Sequence, residues 1–450
     1  MNRVCSIFAQ ILQLFPRAEF ERAVKECKAE RHARGFSSWG QFIAMLFCQL
    51  GHAKSLREIC GGLAASEGKL RHLGLPEAPS RSTLAYANEH RPWQLYEAVF
   101  HQLHGKCEQV AQGRKKFRFK NKLMSLDATV IDLCAEVFDW AKFRQTKGAV
   151  KLHLLLDHEG HLPAYAVITE GKKHEIQVAR RMKFAPDTLL VFDRGYTDYA
   201  WFAELTEKRV WFVTRMKDNA DYGVVEEREL PARPGGVRRD QVIFLYKLEQ
   251  GGQQGCYLRR IEFWDEEHQR LLVFLTNNLR LAASTIAAVY KDRWQIELLF
   301  KALKQSLRIK TFVGTTANAL KTQIWTALIA LLVLKYLQMK ATFGWSLSNL
   351  VALLRQQTVR LPGHVGVVER AIAASPGADN RRRATRLGAI SQGGVLGQQK
   401  CKPRTTRPEI SHIGRVPGSA KLDSTYCSER TTCPANGWQR GLFACVFNTR

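Results

Sequence analysis

Acidic residues are scarce in this chain: 41 Asp and Glu stand against 68 Lys and Arg, a formal net charge of +27. Incidental surface variation does not produce that imbalance. It implies a polyanionic partner, most simply nucleic acid, although an anionic membrane surface would also attract such a chain. A spanning segment is missing as well: the longest strongly apolar run, Ile324 to Leu334, ends at Lys335 and falls short of the ~20 residues a bilayer requires. It reads as a buried helix, so no membrane is expected as a partner. Also lacking is any C-x-x-C pair among the 11 scattered cysteines. They read as reduced cytosolic thiols filling core space, with neither a disulfide framework nor a zinc pattern. The first 16 residues, MNRVCSIFAQILQLFP, break their apolar stretch at Gln10 and Gln13 and offer no small-residue cleavage site. Export is therefore not expected, and a cytoplasmic location is.

What is present is ample core material: 450 residues, 45% hydrophobic, enough for two or three domains. Residues 1–110 carry apolar positions at helical spacing through FAQILQLF, SWGQFIAMLFCQL and WQLYEAVFHQLH, which predicts an all-helical block. Within it a turn at Gly61-Gly62 and a Pro-bounded loop precede a helix capped by Ser80 or Ser82. Helical triplets of this kind often place their last helix in a DNA groove, so Arg81 and Arg91 are candidate phosphate contacts; an ordinary bundle with surface arginines fits equally well. A basic linker over 111–122 contains GRKKFRFKNK, suited either to tracking a nucleic-acid backbone or to solvation.

From residue 123 the period changes. LMSLDATVIDL, AVKLHLLLDHEG and LPAYAVITEG read as three neighbouring strands, after which HEIQVARRMKF, TLLVFDRG, TDYAWFAELTEKR and VWFVTRMK alternate helix and strand. This order predicts an α/β fold with a mixed sheet flanked by helices. Residues 218 to about 275 interrupt the alternation with β-like sequence and read as an inserted β subdomain. Beyond residue 360 hydrophobic periodicity ends. The basic segment 361–450, with Arg381 to Arg383, frequent glycines and Cys401, Cys427, Cys433 and Cys445, is expected to be largely disordered.

Two aspartates stand out. Asp127 sits among apolar strand residues, and Asp193 closes the run LLVF before Arg194-Gly195-Tyr196. Carboxyl ends of strands are where sites form in open α/β sheets, although Asp193 or Asp198 could equally serve an Asx-turn or helix cap. A third carboxylate, Glu297, lies in YKDRWQIELLFKALKQ. On a continuous α-helix, Tyr290, Arg293, Glu297 and Lys304 fall within roughly 60° of one another, beside an apolar stripe of Ile296, Leu299, Phe300, Leu303 and Leu307. Glu297 and Lys301 at i,i+4 would also suit a merely solvated face. Three carboxylates from separated segments could instead offer hard oxygen ligands to two Mg²⁺ or Mn²⁺ ions in an in-line phosphoryl displacement.

The combination of SLDATVIDL, VFDRGYTD and YKDRWQIELLFKALK resembles the bacterial insertion-sequence transposases of family four. Their third acidic residue lies in a Tyr-x-x-Arg-x-x-x-Glu-x-x-x-x-x-x-Lys signature, and every spacing of it is met here. The helical N-terminal block also resembles the uncharacterised domain that opens many of these transposases, so the likeness runs through roughly residue 350. It implies an RNase H-like catalytic domain over 123–350, with Asp127, Asp193 and Glu297 as the catalytic, metal-binding triad and the β segment as the family's usual insertion. Tyr290, Arg293 and Lys304 would grip phosphates at the cleaved end, and Trp264, or Trp211, would stack an extruded base. The implied activity is cut-and-paste transposition by metal-dependent end cleavage and strand transfer. The implied partners are double-stranded DNA, as inverted-repeat ends and target, and a second copy of the chain when bound, in a bacterial, nucleoid-associated setting. A metal-dependent nuclease that cuts without joining, and a DNA-binding regulator or inactive relic, are the alternatives that the residues leave open.

Overall fold

Serines open the helices of the N-terminal block. In the computed structural model, the Ser6, Ser37, Ser55 and Ser80 hydroxyls accept backbone N–H groups at the starts of α1 (Ile7–Leu12), α3 (Ser38–Gly51), α4 (Leu56–Ala64) and α5 (Arg81–His90). Each such cap satisfies a donor the helix cannot, contributing about 1 kcal/mol. Helices α2 (Arg17–Glu26) and α6 (Gln94–Ala111) complete the block. The structure describes residues 6–357 apart from 32, 34, 67–69, 135–137, 139, 141, 145–146, 231, 233–234, 246–256 and 308–311. The basic tail expected over 361–450 lies outside the described residues.

The apolar run near residue 330 belongs to α11 (Ala317–Lys340). By length and composition this helix could cross a membrane, yet every residue from Ala327 to Leu334 is 0% exposed, inside protein. It packs on α6 and α3, with Trp93 and Trp325 parallel at 6.3 Å. Asn318 ties its start to the end of α5 by donating to the carbonyls of Asn88 (2.9 Å) and Arg91 (2.6 Å). Burying each large aliphatic side chain here contributes about 1.5–3 kcal/mol. The same core continues into Ile131, Leu152, Leu154 and Leu156 of the sheet, so the helical block and the sheet share one hydrophobic interior.

The sheet begins as an antiparallel meander: β1 (Leu123–Cys134), β3 (Lys147–Asp157) and β4 (Leu162–Glu170), with the short β2 (Lys142–Arg144) at one margin. Then β5 (Leu189–Phe192) and β6 (Trp211–Arg215) add parallel to β1. The spatial order β4-β3-β1-β5-β6, antiparallel then parallel, is the RNase H-like mixed sheet expected above. Helix α7 (Glu175–Ala179) is shorter than HEIQVARRMKF suggests, and α8 (Tyr199–Glu207) follows β5 and packs Trp201, Phe202 and Leu205 on Leu190, Phe192 and Phe212. The expected β insertion comprises β7 (Tyr222–Glu227), β8 (Val237–Leu245), β9 (Tyr257–Asp265) and β10 (Arg270–Thr276). Because β10 pairs with β6, the insertion extends the central sheet instead of forming a separate layer.

One expectation is corrected. The tract from 282 to 307 is not a continuous α-helix: α9 (Ala283–Asp292) stops, the chain turns at Arg293, α10 (Trp294–Lys301) follows, and Ala302–Ser306 closes in a π-helical turn. The apolar stripe is buried as expected, Ile296, Leu299, Phe300, Leu303 and Leu307 all being at most 4% exposed. The angles of a continuous α-helix do not carry through to Lys304, because Arg293 interrupts the helix and the π-helical turn holds more residues per turn. Helix α12 (Leu347–Gln357) ends the described chain.

Candidate active site

The register of β1 against β5 pairs Leu126 with Phe192. Asp127 is the next residue on β1 and Asp193 the first past the end of β5, so they continue the register side by side, roughly 5 Å apart at the backbone. Asp193 stands where β5 gives way to the turn Arg194–Tyr196, and its Oδ1 accepts the Arg194 N–H at 2.6 Å. The cap role considered from sequence thus belongs to it as well as to Asp198, whose Oδ1 accepts from Trp201 N at 3.0 Å and from Arg180 at 2.7 Å.

The turn between α9 and α10 brings the third acidic residue in. Arg293 Nη1 donates to Asp127 Oδ2 at 3.0 Å and lies 3.4 Å from Glu297 Oε1, one guanidinium bridging both carboxylates. Asp127 Oδ1 also accepts its neighbour's N–H, from Ala128, at 2.8 Å. Burial is the main reason that the Asp127 carboxyl is pushed up to about 7; the nearby Glu297 charge adds to it, while Arg293 and the Ala128 N–H pull the other way. Three acidic side chains, Asp127, Asp193 and Glu297, act on the one guanidinium of Arg293. Tyr290 links in the third position, its hydroxyl 3.5 Å from Asp193 Oδ1. Burial pushes that phenol up to about 12, so it stays protonated and acts as a donor, which suits positioning and not nucleophilic attack. Arg293 Nε is buried and makes no geometric hydrogen bond to the described residues, while the guanidinium lies 5.7 Å from the Tyr290 ring centre and pulls that phenol downward.

The donor set, carboxylate oxygens with surplus negative charge, fits a hard divalent cation. The oxygens are not gathered on a common point: the two groups of ligand atoms within 4.8 Å among the described residues are His158–His161–Asp292 and Asp265–Glu267–His268. Arg293 occupies the space between Asp127 and Glu297.

The other expected residues are distributed. Lys304 lies half-buried in the π-helical turn. Arg81 is exposed at the first position of α5. Arg91 is corrected: its guanidinium donates to the carbonyls of Ser37, at 2.9 Å, and Phe36, fastening α3 from outside, so it is a structural group. Trp211 packs in the core beside α9, and Trp264 is half-buried on β9, two strands beyond β6. The sequence reading missed Trp294, 58% exposed on α10 directly after Arg293, and Arg215, whose charge acts on Tyr290. Arg215 ends a parallel strand next to β5, a position the strand-end rule points to; Trp294 lies outside the apolar stripe of α10, and no motif or period singles it out.

Residues 118–333 match the family described as Transposase DDE domain, and residues 4–76 match a domain of unknown function (DUF4372). The transposase y4zB of Sinorhizobium fredii is 32% identical over 282 residues, covering 62% of this chain and 77% of that protein. A transposase of insertion sequence element IS5377 from Geobacillus stearothermophilus is 29% identical over 283 residues, 62% of this chain and 74% of that one. Among solved structures, a piggyBac transposase synaptic complex with hairpin DNA aligns over 88% of this chain and 87% of its own, with 11% identity and a TM-score of 0.39. The family carries out phosphoryl transfer on DNA and is typically metal-dependent. A relative matched over more than three quarters of its length at 32% identity, together with the domain match, shows that this chain belongs to the DDE transposases.

Proposed function

We propose that this transposase moves an insertion sequence by cut-and-paste, cleaving DNA at the element's inverted-repeat ends and joining the released 3′-hydroxyl to target DNA. The observation that carries the reading is the bridge from Asp127 through Arg293 to Glu297, with Asp193 alongside Asp127 just past the end of the next strand. Asp127, Asp193 and Glu297 would hold Mg²⁺ or Mn²⁺, two ions in the full complex. Bound there, the cations would supply Lewis-acid activation of the attacking oxygen and neutralise charge on the phosphate. The chain's own groups orient the DNA: Arg293 offers a planar fork to phosphate oxygens, Lys304 a point charge, and Tyr290 a neutral hydroxyl. Trp264 remains a candidate for stacking on an extruded base, with the exposed Trp294 now the better placed of the two. Residues 1–110 form the DNA-binding domain in this reading, with Arg81 on phosphate, residues 111–122 the basic linker, and 123–350 the catalytic domain. Joining two ends requires at least a homodimer on DNA, acting at the bacterial nucleoid.

A strand-transfer assay with Mg²⁺, matched inverted-repeat ends and a supercoiled target tests this. Joined products are expected. Cleavage without joining identifies a nuclease, and binding with neither product identifies a regulator. Glu297→Gln is expected to abolish both products while leaving end affinity within about twofold; undiminished cleavage removes Glu297 from the site.

A further inference from the structure

Beside the carboxylates lies a second buried chain of hydrogen bonds that the proposed reaction does not use. Ser125 Oγ is 2.6 Å from His158 Nε2; His158 Nδ1 donates to Asp292 Oδ2 at 2.7 Å; and Lys116 Nζ donates to Asp292 Oδ1 at 2.6 Å. Ser125, His158 and Asp292 are 0%, 6% and 4% exposed. These are the residue types of a hydrolytic triad, but Ser125 is sealed inside β1, where no substrate reaches its hydroxyl. Their placement points elsewhere. Ser125 and Asp127 are two apart on one strand and so face the same side of β1. Asp292 and Arg293 are consecutive and form the junction of α9 with α10. Asp292 holds Ser125 through His158, and Arg293 holds Asp127 directly.

We propose that His158 and Asp292 are positioning residues which, with Arg293, make a two-point clamp of the α9–α10 junction onto β1, and so fix where Glu297 stands relative to Asp127. Apolar burial seats α9 and α10 on the core, but a single ion pair gives the junction only one polar attachment to β1. A second attachment, on the neighbouring residue and two positions along the same strand, restrains rotation about the first, and Glu297 follows one helical turn after Arg293. The junction is a tightened helical turn in which Arg293 keeps right-handed helical angles: its N–H reaches the Tyr290 carbonyl at 3.2 Å and Ile296 N–H the Arg293 carbonyl at 3.1 Å, three residues back in each case. His158 is itself anchored, its N–H donating to the Leu123 carbonyl at 3.1 Å in the turn between β3 and β4. Lys116 brings the basic linker into the same network, which couples the segment before β1 to the corner that carries Glu297. Although burial alone would raise it, the Asp292 carboxyl is held down to about 2 by His158 and Lys116, so the clamp works with an ionised carboxylate.

This rests on Glu297 and Asp127 acting together as proposed above, and the test separates the two ideas. Hydrogen–deuterium exchange is measured on the full chain without DNA or metal, for Asp292→Asn, Lys116→Ala and Lys116→Arg. Amides of 293–301 are expected to exchange about tenfold faster in Asp292→Asn and severalfold faster in Lys116→Ala, with Lys116→Arg near wild type and α3 and α11 unchanged. In parallel, Asp292→Asn is expected to lower end-cleavage kcat at least tenfold with DNA Kd within twofold. Unchanged exchange at 293–301, or an equal rise in α3 and α11, overturns the clamp. Lys116→Ala, altering a half-exposed side chain, decides the matter should Asp292→Asn fail to fold. If Glu297→Gln still cleaves, the catalytic reading fails, whereas loss of cleavage in Glu297→Gln alongside wild-type kcat and exchange in Asp292→Asn refutes the clamp alone.

Discussion

Two arginine–aspartate pairs in this molecule have similar short contacts and opposite characters. In the β insertion, Arg259 meets Asp240 with two bonds, Nε to Oδ1 at 2.8 Å and Nη2 to Oδ2 at 2.6 Å, and its third nitrogen donates to the carbonyls of Asn278 and Leu281. Every nitrogen is used. Arg293 spends one nitrogen on two carboxylates, at 3.0 and 3.4 Å, and its buried Nε makes no geometric hydrogen bond to the described residues. Both arginines are largely buried, at 3% and 13% side-chain exposure, so burial does not distinguish them. Saturation does: a closed pair is finished as structure, while an open one has capacity left for a ligand.

The comparison is broken most sharply by neutralising one aspartate in each pair. Asp127→Asn is expected to reduce end cleavage below detection without lowering the thermal midpoint, because it relieves a carboxylate that its surroundings already push towards protonation. Asp240→Asn should do the reverse. It leaves Arg259 charged and buried, a loss of about 3–5 kcal/mol, read as a drop in the denaturation midpoint, with residual folded protein still cleaving. A stable Asp240→Asn protein, or an unstable Asp127→Asn protein, would reverse the assignment of which pair is structural.

How far the sequence revealed this contrast depends on the signal each part carries. Asp127 stood out because it sits among apolar strand residues, and Asp193 because it closes an apolar strand just before a glycine turn. The apolar face of α10 was legible from its period. The corner at Arg293 was not, since neither proline nor glycine marks it; it is imposed by partners more than a hundred residues away, Asp127 and His158. The π-helical turn that holds Lys304 was equally unmarked in the sequence. The continuation of the insertion into the central sheet was also hidden, because pairing of β10 with β6 is a non-local choice that alternation along one strand cannot express. Asp240 and Arg259 look like ordinary charged residues in their own segments, and only the fold shows them to be buried together.

Asp292 provides an intermediate case, saturated like Asp240 yet adjacent to the open pair. Its folded value of about 2 lies below the ordinary 3.8, so its partners stabilise the fold wherever the unfolded chain would have it ionised. That increment, about 2.5 kcal/mol, is fully present above about pH 4 and is lost as pH falls through about 2. Chemical denaturation of wild type and Asp292→Asn should therefore differ by about that amount at pH 6 and converge near pH 2. A constant difference across that range would mean that the loss reflects packing and not the ionised carboxylate.

The smallest effect separates the open arginine from the lysine in the π-helical turn. If Arg293 has donors left for phosphate, Arg293→Ala should lower the slope of log affinity against log salt by about one phosphate contact, measured on pre-cleaved ends with Ca²⁺ in place of Mg²⁺. Lys304→Ala should reduce that slope by as much if its ammonium reaches DNA, and by nothing if the wider turn has carried it off the DNA-facing side. Equal slopes for Lys304→Ala and wild type, beside a reduced slope for Arg293→Ala, would make the phosphate grip a property of the corner and not of the helix as a whole. An unchanged slope for Arg293→Ala would instead mean that its unfilled donor serves the carboxylates alone, and saturation would lose its value as a guide to where this protein meets its substrate.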